Sequence, residues 1–258
     1  MKSLYRNYIA YRTIVWSEVR RTFRIWTQTL LPPAITTTLY FVIFGHLMGQ
    51  RIGTMSGLPY INFIVPGLIM MTMLMAAYNA AVFIMYMAKW TKTIEEILVS
   101  PMSAYTILLS FMSVGVARGM LVALVVGIIA ELFTHIQIAH IFYMLLVMFL
   151  ACSILSLLAL INGLWARSFD QISIIPTFII TPLSYLGGVF YSLNVLPAFW
   201  QHVALFNPIV YLISSLRYSF FNIADTSILY DTIFMTVITL VLFFICAHLI
   251  RLRKGLAD

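Results

Sequence analysis

Residues 139–164 read AHIFYMLLVMFLACSILSLLALINGL, twenty-six positions without a single Asp, Glu, Lys or Arg. An α-helix rises about 1.5 Å per residue, so roughly twenty apolar residues cross the ~30 Å hydrocarbon core of a bilayer. This run is long enough to cross and too apolar to face water. Five more blocks, at 30–48, 61–88, 105–130, 172–191 and 229–250, read the same way. The expectation is an all-α integral membrane protein with six transmembrane helices. Composition agrees: 62% of the chain is hydrophobic and 9% is charged, against roughly 25% charged in a soluble domain.

An even number of spans puts both ends on one side, and basic residues choose that side. Lys2, Arg6, Arg12, Arg20, Arg21, Arg24, Lys89, Lys92, Arg167, Arg251, Arg253 and Lys254 fall on one face, while Arg51 and Arg217 fall on the other. Both termini are therefore expected to be cytoplasmic. The net charge of +7 follows from this bias, and no soluble unit presents a basic groove, so nucleic acid is not an expected partner. Cys152 and Cys246 sit inside apolar blocks, which implies no disulfide framework. Charges at Glu18, Arg20, Arg21 and Arg24 interrupt the place where a cleaved leader would need its apolar core.

Three segments outside the blocks carry further expectations. In 1–29, Leu4, Tyr8, Tyr11, Val15, Val19, Phe23, Trp26 and Leu30 recur at helical spacing, with basic residues on other faces and Arg12 near the stripe. This predicts an N-terminal amphipathic helix resting in the headgroup interface, with membrane lipid as its partner. The stretch 192–227 is cut by Pro197 and Pro208 into pieces too short to span. It reads as an outer re-entrant helical hairpin between spans five and six, broken at Asn207-Pro208. The loop 89–103, KWTKTIEEILVSPMS, reads either as a solvated turn or as a short helix presenting Glu95 and Glu96 to a cytoplasmic partner.

Several chemistries are excluded by what is missing. No G-x-x-x-x-G-K-[ST] phosphate loop is present, so the chain is not expected to bind ATP itself. The five His are scattered, without the spacing of a metal site, and no Ser, His and acid arrangement can be placed. The chain is therefore not read as an enzyme. Acidic residues avoid the span interiors, which disfavours an ion-driven carrier. Arg118 is the one charge well inside a span, flanked by Gly115 and Gly119 at a small-x-x-x-small spacing. Carbonyls, water, or the amides of Asn62, Asn79 or Asn162 are its candidate partners. A structural role and a substrate or gating role both remain open for it.

Two stretches resemble the membrane subunit of a type-2 ABC exporter. The first is 93–103, TIEEILVSPMS, similar to that family's pattern of Thr, an apolar residue, Glu, a short apolar run and Ser-Pro. The second is 181–217, TPLSYLGGVFYSLNVLPAFWQHVALFNPIVYLISSLR. Here Gly188, Phe190, Leu196, Pro197, Asn207, Pro208, Tyr211 and Arg217 match the family signature, although Tyr191-Ser192 stands where many relatives have Phe-Pro. The resemblance implies a permease in the bacterial inner membrane, working as two permeases with two ATP-binding cassette ATPase subunits. Those subunits would bind ATP and Mg, and this chain would hold no cofactor and no metal. It also implies that 89–103 is a coupling loop, with Lys92, Thr93, Glu95, Glu96, Ser100 and Pro101 as ATPase contacts. Arg118, Gly187, Gly188, Phe190, Asn207, Pro208, Tyr211 and Arg217 are the corresponding candidates for the translocation pathway or outer gate. The second permease can be another copy of this chain or a different one, and the cargo stays open among lipid-like, drug-like and glycan substrates. A secondary transporter, a channel and a non-transporting scaffold are the alternative classes.

Overall fold

The computed structural model describes residues 2–100 and 102–252. Pro101 of the coupling set, and Arg253, Lys254 and Asp258, lie outside the described residues. The chain begins with α1 (Lys2–Arg24), α2 (Trp26–Thr29) and α3 (Leu31–Tyr40), followed by a π-helical segment Phe41–Met48 and α4 (Gly49–Ile52). A minimal hairpin, β1 (Thr54–Met55) and β2 (Leu58–Pro59), turns through Ser56 and Gly57, both with positive φ. It leads into α5 (Tyr60–Trp90), α6 (Thr93–Val99), α7 (Ala104–Phe133) and α8 (Ile141–Trp165). Then come α9 (Phe169–Ile175), a second π-helical segment Pro176–Ile180, α10 (Thr181–Leu186), α11 (Ala198–Leu205), α12 (Pro208–Phe221) and α13 (Ile228–Arg251).

Among the described residues, α5, α7, α8 and α13 are each long and apolar enough to cross a membrane. The blocks at 30–48 and 172–191 are helical too, but π-helical turns divide them, so neither makes one long α-helix. In the second block Pro176 and Pro182 each remove a backbone N–H. The Thr181 N–H reaches back five residues to the Pro176 carbonyl, which also accepts the Thr181 hydroxyl at 2.8 Å. α11 and α12 meet at 94°. The break expected at Asn207-Pro208 is therefore present, and it turns the chain through a right-angled corner between two short helices.

α5 is the axis of the molecule, enclosed by α7, α8 and α12. Its close approach to α7 and α8 depends on glycine. A Cβ on Gly119 would lie 2.6 Å from Cys152 Sγ and 3.0 Å from Ala77 Cβ, and one on Gly115 would overlap Ser156 Oγ. Across α5 and α8, a Cβ on Gly163 would lie 2.8 Å from Met85 Cβ. With no hydrophobic force between helices in lipid, such close packing is what holds spans together. Large apolar side chains on the outside of α7, α8 and α13, including Leu124, Ile128, Phe142, Leu240 and Phe244, are exposed, as a lipid-facing surface requires.

α1 packs along α7. Asn7 Oδ1 accepts the Ser103 N–H at 3.3 Å, and Thr22 Oγ1 accepts from Arg118 Nη2 at 3.2 Å. The two ties are fifteen residues apart on each helix (22 − 7 and 118 − 103), so α1 leans along α7 in the same direction over ~22 Å. The apolar stripe read from the sequence is split by this packing. Ile14 packs against the core and Thr22 is buried, while Leu4, Tyr8, Phe23 and Trp26 stay exposed.

Candidate functional site

The candidate residues gather at the two ends of the α5 axis, about 45 Å apart for a helix of its thirty-one residues. At one end, Lys92 takes a left-handed conformation (φ 60°) and turns the chain from α5 into α6. α6 is two-sided. Ile94 is buried and Ile97 packs behind it, whereas Thr93, Glu95 and Glu96 are exposed. Glu95 and Glu96 lie in the first turn of α6, where carboxylates suit the helix dipole. Two apolar side chains flank them in the open, Val99 at 83% exposure and Trp90 at 71%. Thr93 shares a 2.9 Å hydrogen bond with Thr91, and the Ser100 hydroxyl donates to the Ile97 carbonyl at 2.6 Å.

Lys89 was legible in the sequence only as a topology charge, yet it does more. Its Nζ donates to the carbonyls of Gly163, Leu164 and Ala166 at 3.4, 2.6 and 3.1 Å. These oxygens belong to the C-terminal end of α8, which carries no basic residue of its own there. One ammonium thus pins the end of α8 to the entrance of the α6 loop. Lys89→Met is expected to lower stability by about 2 kcal/mol, the scale of charged hydrogen bonds, read as a fall in the melting midpoint of the purified protein. Lys89→Arg should recover part of the loss.

At the other end, Arg217 is fully buried. Its Nη1 donates to Asp225 Oδ2 at 2.6 Å, its Nη2 donates to the Gly188 carbonyl at 2.7 Å, and the guanidinium lies 3.9 Å from the centroid of the Phe63 ring. Burying a charge is costly unless it is paired and hydrogen-bonded, and this one is both. Asp225 also accepts from Ser192 Oγ at 2.7 Å. Ser214 Oγ accepts from the Asp225 and Thr226 amides, both at 3.1 Å. Asp231 continues the network, with Oδ2 accepting from Ser215 and Thr226 at 3.2 and 2.6 Å. The result is a polar clasp joining the turn after α10, α12 and the start of α13.

The remaining candidates at this end surround the clasp. Gly188 has φ +84°, a conformation that glycine adopts freely. A Cβ on Gly187 would lie 3.1 Å from Ile209 Cγ2, so this glycine lets α12 approach. Asn207 caps α12 through Oδ1, which accepts the Ile209 N–H at 3.0 Å, and its Nδ2 donates to the Leu183 carbonyl at 2.6 Å. Pro208 occupies the first helical position, where its missing N–H costs nothing. Tyr211 donates to the Leu205 carbonyl at 2.6 Å and packs its ring 4.8 Å from that of Phe234. Phe190 lies 4.7 Å from the ring of Phe44, and its carbonyl accepts the Tyr60 hydroxyl at 3.0 Å.

Arg118 belongs to neither end. Its described hydrogen bond goes to Thr22 of α1, and not to Asn62, Asn79 or Asn162; Asn162 donates instead to the Tyr78 hydroxyl at 2.8 Å. Sequence reasoning missed Asp225 and Asp231 as partners in the clasp. It had no signal for Thr22. Among the described residues no group of His, Cys, Asp or Glu could hold a metal ion.

The family model described as ABC-2 type transporter matches residues 9–221. The inner membrane transport permease YadH of Escherichia coli (strain K12) is 44% identical over 249 residues, covering 96% of this chain and 97% of that protein. Nodulation protein J of Rhizobium meliloti (strain 1021) is 24% identical over 213 residues, covering 82% of this chain and 77% of its own length.

Proposed function

The chain belongs to the ABC-2 type transporter family, and from that membership we propose that it is the membrane-spanning subunit of an ATP-driven exporter in a bacterial inner membrane. It has six spans, the first and fifth being the π-interrupted helices, and α11 with α12 enters the outer leaflet and returns. Both termini and α6 face the cytoplasm. Two permeases, with a second copy of this chain as the simplest partner, enclose the pathway, and two cassette ATPase subunits bind ATP and Mg on the cytoplasmic side.

The observation that carries this reading is the construction of α6. Its inner face is tied to the bundle by Ile94 and Ile97, while two carboxylates, Val99 and Trp90 are left outside. An exposed apolar pair beside an acidic pair suits a protein surface carrying basic and apolar groups. ATP binding draws the two α6 helices together. Because Lys89 holds the end of α8 to the end of α5, both long helices move with α6 as one body and open the pathway outward. Glu95 and Glu96 act as contacts that transmit force, with no acid or base role. Thr93, Ser100 and Pro101 shape the docking loop.

Glu95→Lys/Glu96→Lys is expected to lower transport-coupled ATPase activity at least about tenfold, because like charges facing a basic partner cost several kcal/mol, while membrane insertion stays normal. Full coupling in that variant would refute the docking assignment. At the opposite end the clasp fixes the outer closure, and Gly187, Gly188, Asn207, Pro208 and Tyr211 set its shape. Arg118 joins α1 to α7, so that α1 follows the bundle.

A further inference from the structure

Between the outer halves of α7 and α8 lies a groove of about 490 Å³, within the about 300–1,000 Å³ usual for ligand clefts. Its floor is buried and apolar, formed in part by Ile69, Ala123 and Met148. Leu124, Ile128 and Leu145 form exposed walls. It is open because Gly127 carries no side chain and nothing lies within 4 Å of where its Cβ would be. Gly115, Gly119 and Gly163 each admit a neighbouring helix; Gly127 admits none.

Among the described residues, one charged side chain lines this groove. Glu131 stands four residues beyond Gly127, one turn along the same face of α7. Its Oε2 accepts the Ile136 N–H at 3.0 Å, and Oε1 accepts no hydrogen bond among the described residues. Glu131 also lies in the last turn of α7, which carries no basic residue. The carboxylate and the terminal carbonyls of the helix therefore add their negative potentials at the mouth, a position that favours a cation. An apolar trench ending in a carboxylate that forms no ion pair among the described residues has the polarity of an acyl chain that ends in a positive, hydrogen-bond-donating headgroup.

We propose that this groove binds a phospholipid of the outer leaflet, one acyl chain lying over Gly127 and a primary ammonium headgroup paired with Glu131. An ammonium donates hydrogen bonds to a carboxylate, whereas a choline headgroup has no N–H to donate and a glycerol headgroup adds no cation. The groove shares no lining residue with the coupling loop or with the outer clasp, although Phe220 of α12 forms part of its wall.

The test reconstitutes the full-length protein in vesicles with equal phosphatidylethanolamine and phosphatidylcholine at constant phosphatidylglycerol. Lipid retained after detergent washing is then counted by native mass spectrometry. The wild type should retain ethanolamine over choline lipid by about threefold, the scale of a solvent-accessible ion pair. Glu131→Gln should bring that ratio to about one, and Glu131→Asp should keep the preference. Gly127→Leu should remove one retained lipid of either kind. A ratio near one in the wild type would overturn the proposal, as would a preference that survives Glu131→Gln or a lipid count untouched by Gly127→Leu.

Discussion

Arg217→Met is expected to destabilise the folded chain by about 3–5 kcal/mol, the usual cost of removing one partner from a buried ion pair. Asp225 is left with a buried charge facing only Ser192 Oγ, and the Gly188 carbonyl loses its donor. The side chain is fully enclosed, so water cannot replace it without opening the packing of α12 against α5. The double variant Arg217→Met/Asp225→Leu should recover most of the loss, since two apolar groups in that space leave no orphaned charge. Melting midpoints of the four proteins of this cycle, purified in one detergent, give the coupling energy directly. If the single variant melts like the wild type, the clasp does not hold this end of the fold together.

Gly115→Leu is the second large effect. A Cβ at this position overlaps Ser156 Oγ and lies 2.9 Å from the Ala77 carbonyl oxygen, and that oxygen belongs to α5 backbone that cannot rotate away. Even Gly115→Ala should cost about 1–3 kcal/mol through overpacking, and the larger Leu should prevent α5, α7 and α8 from assembling, seen as loss of the monodisperse folded species on gel filtration. Gly127→Ala is the matched control. It adds the same methyl to the same helix where nothing lies within 4 Å, so it should melt within about 1 kcal/mol of the wild type or slightly higher, given the better helix propensity of Ala.

The two glycines show where reading a sequence stops. Gly115 and Gly119 carry a spacing that announces close helix approach, and the structure finds them at the meeting of α5, α7 and α8. Gly127 has the same chemistry and a nearby position, yet it faces an open groove, and nothing local separates the cases. The Asn207-Pro208 break was legible for a local reason: Asn caps, and Pro starts a helix without needing its N–H. Its 94° angle was not, because the direction of α12 is set by what it packs against.

The charges divide in the same way. The sequence by itself determined that this is an all-helical membrane chain. The length of an uncharged run and the cost of a charge in hydrocarbon are properties of contiguous residues. It also determined which short segment breaks the pattern and exposes two adjacent carboxylates. Only the tertiary structure decided what each lone cation does. Lys89 meets carbonyls about 75 positions away, Arg118 meets a hydroxyl 96 positions away, and Arg217 meets Asp225 after the left-handed turn at Asn222 folds the chain back. A buried charge takes whichever partner the packing brings within 3 Å or so, and that distance exists only once the helices have assembled.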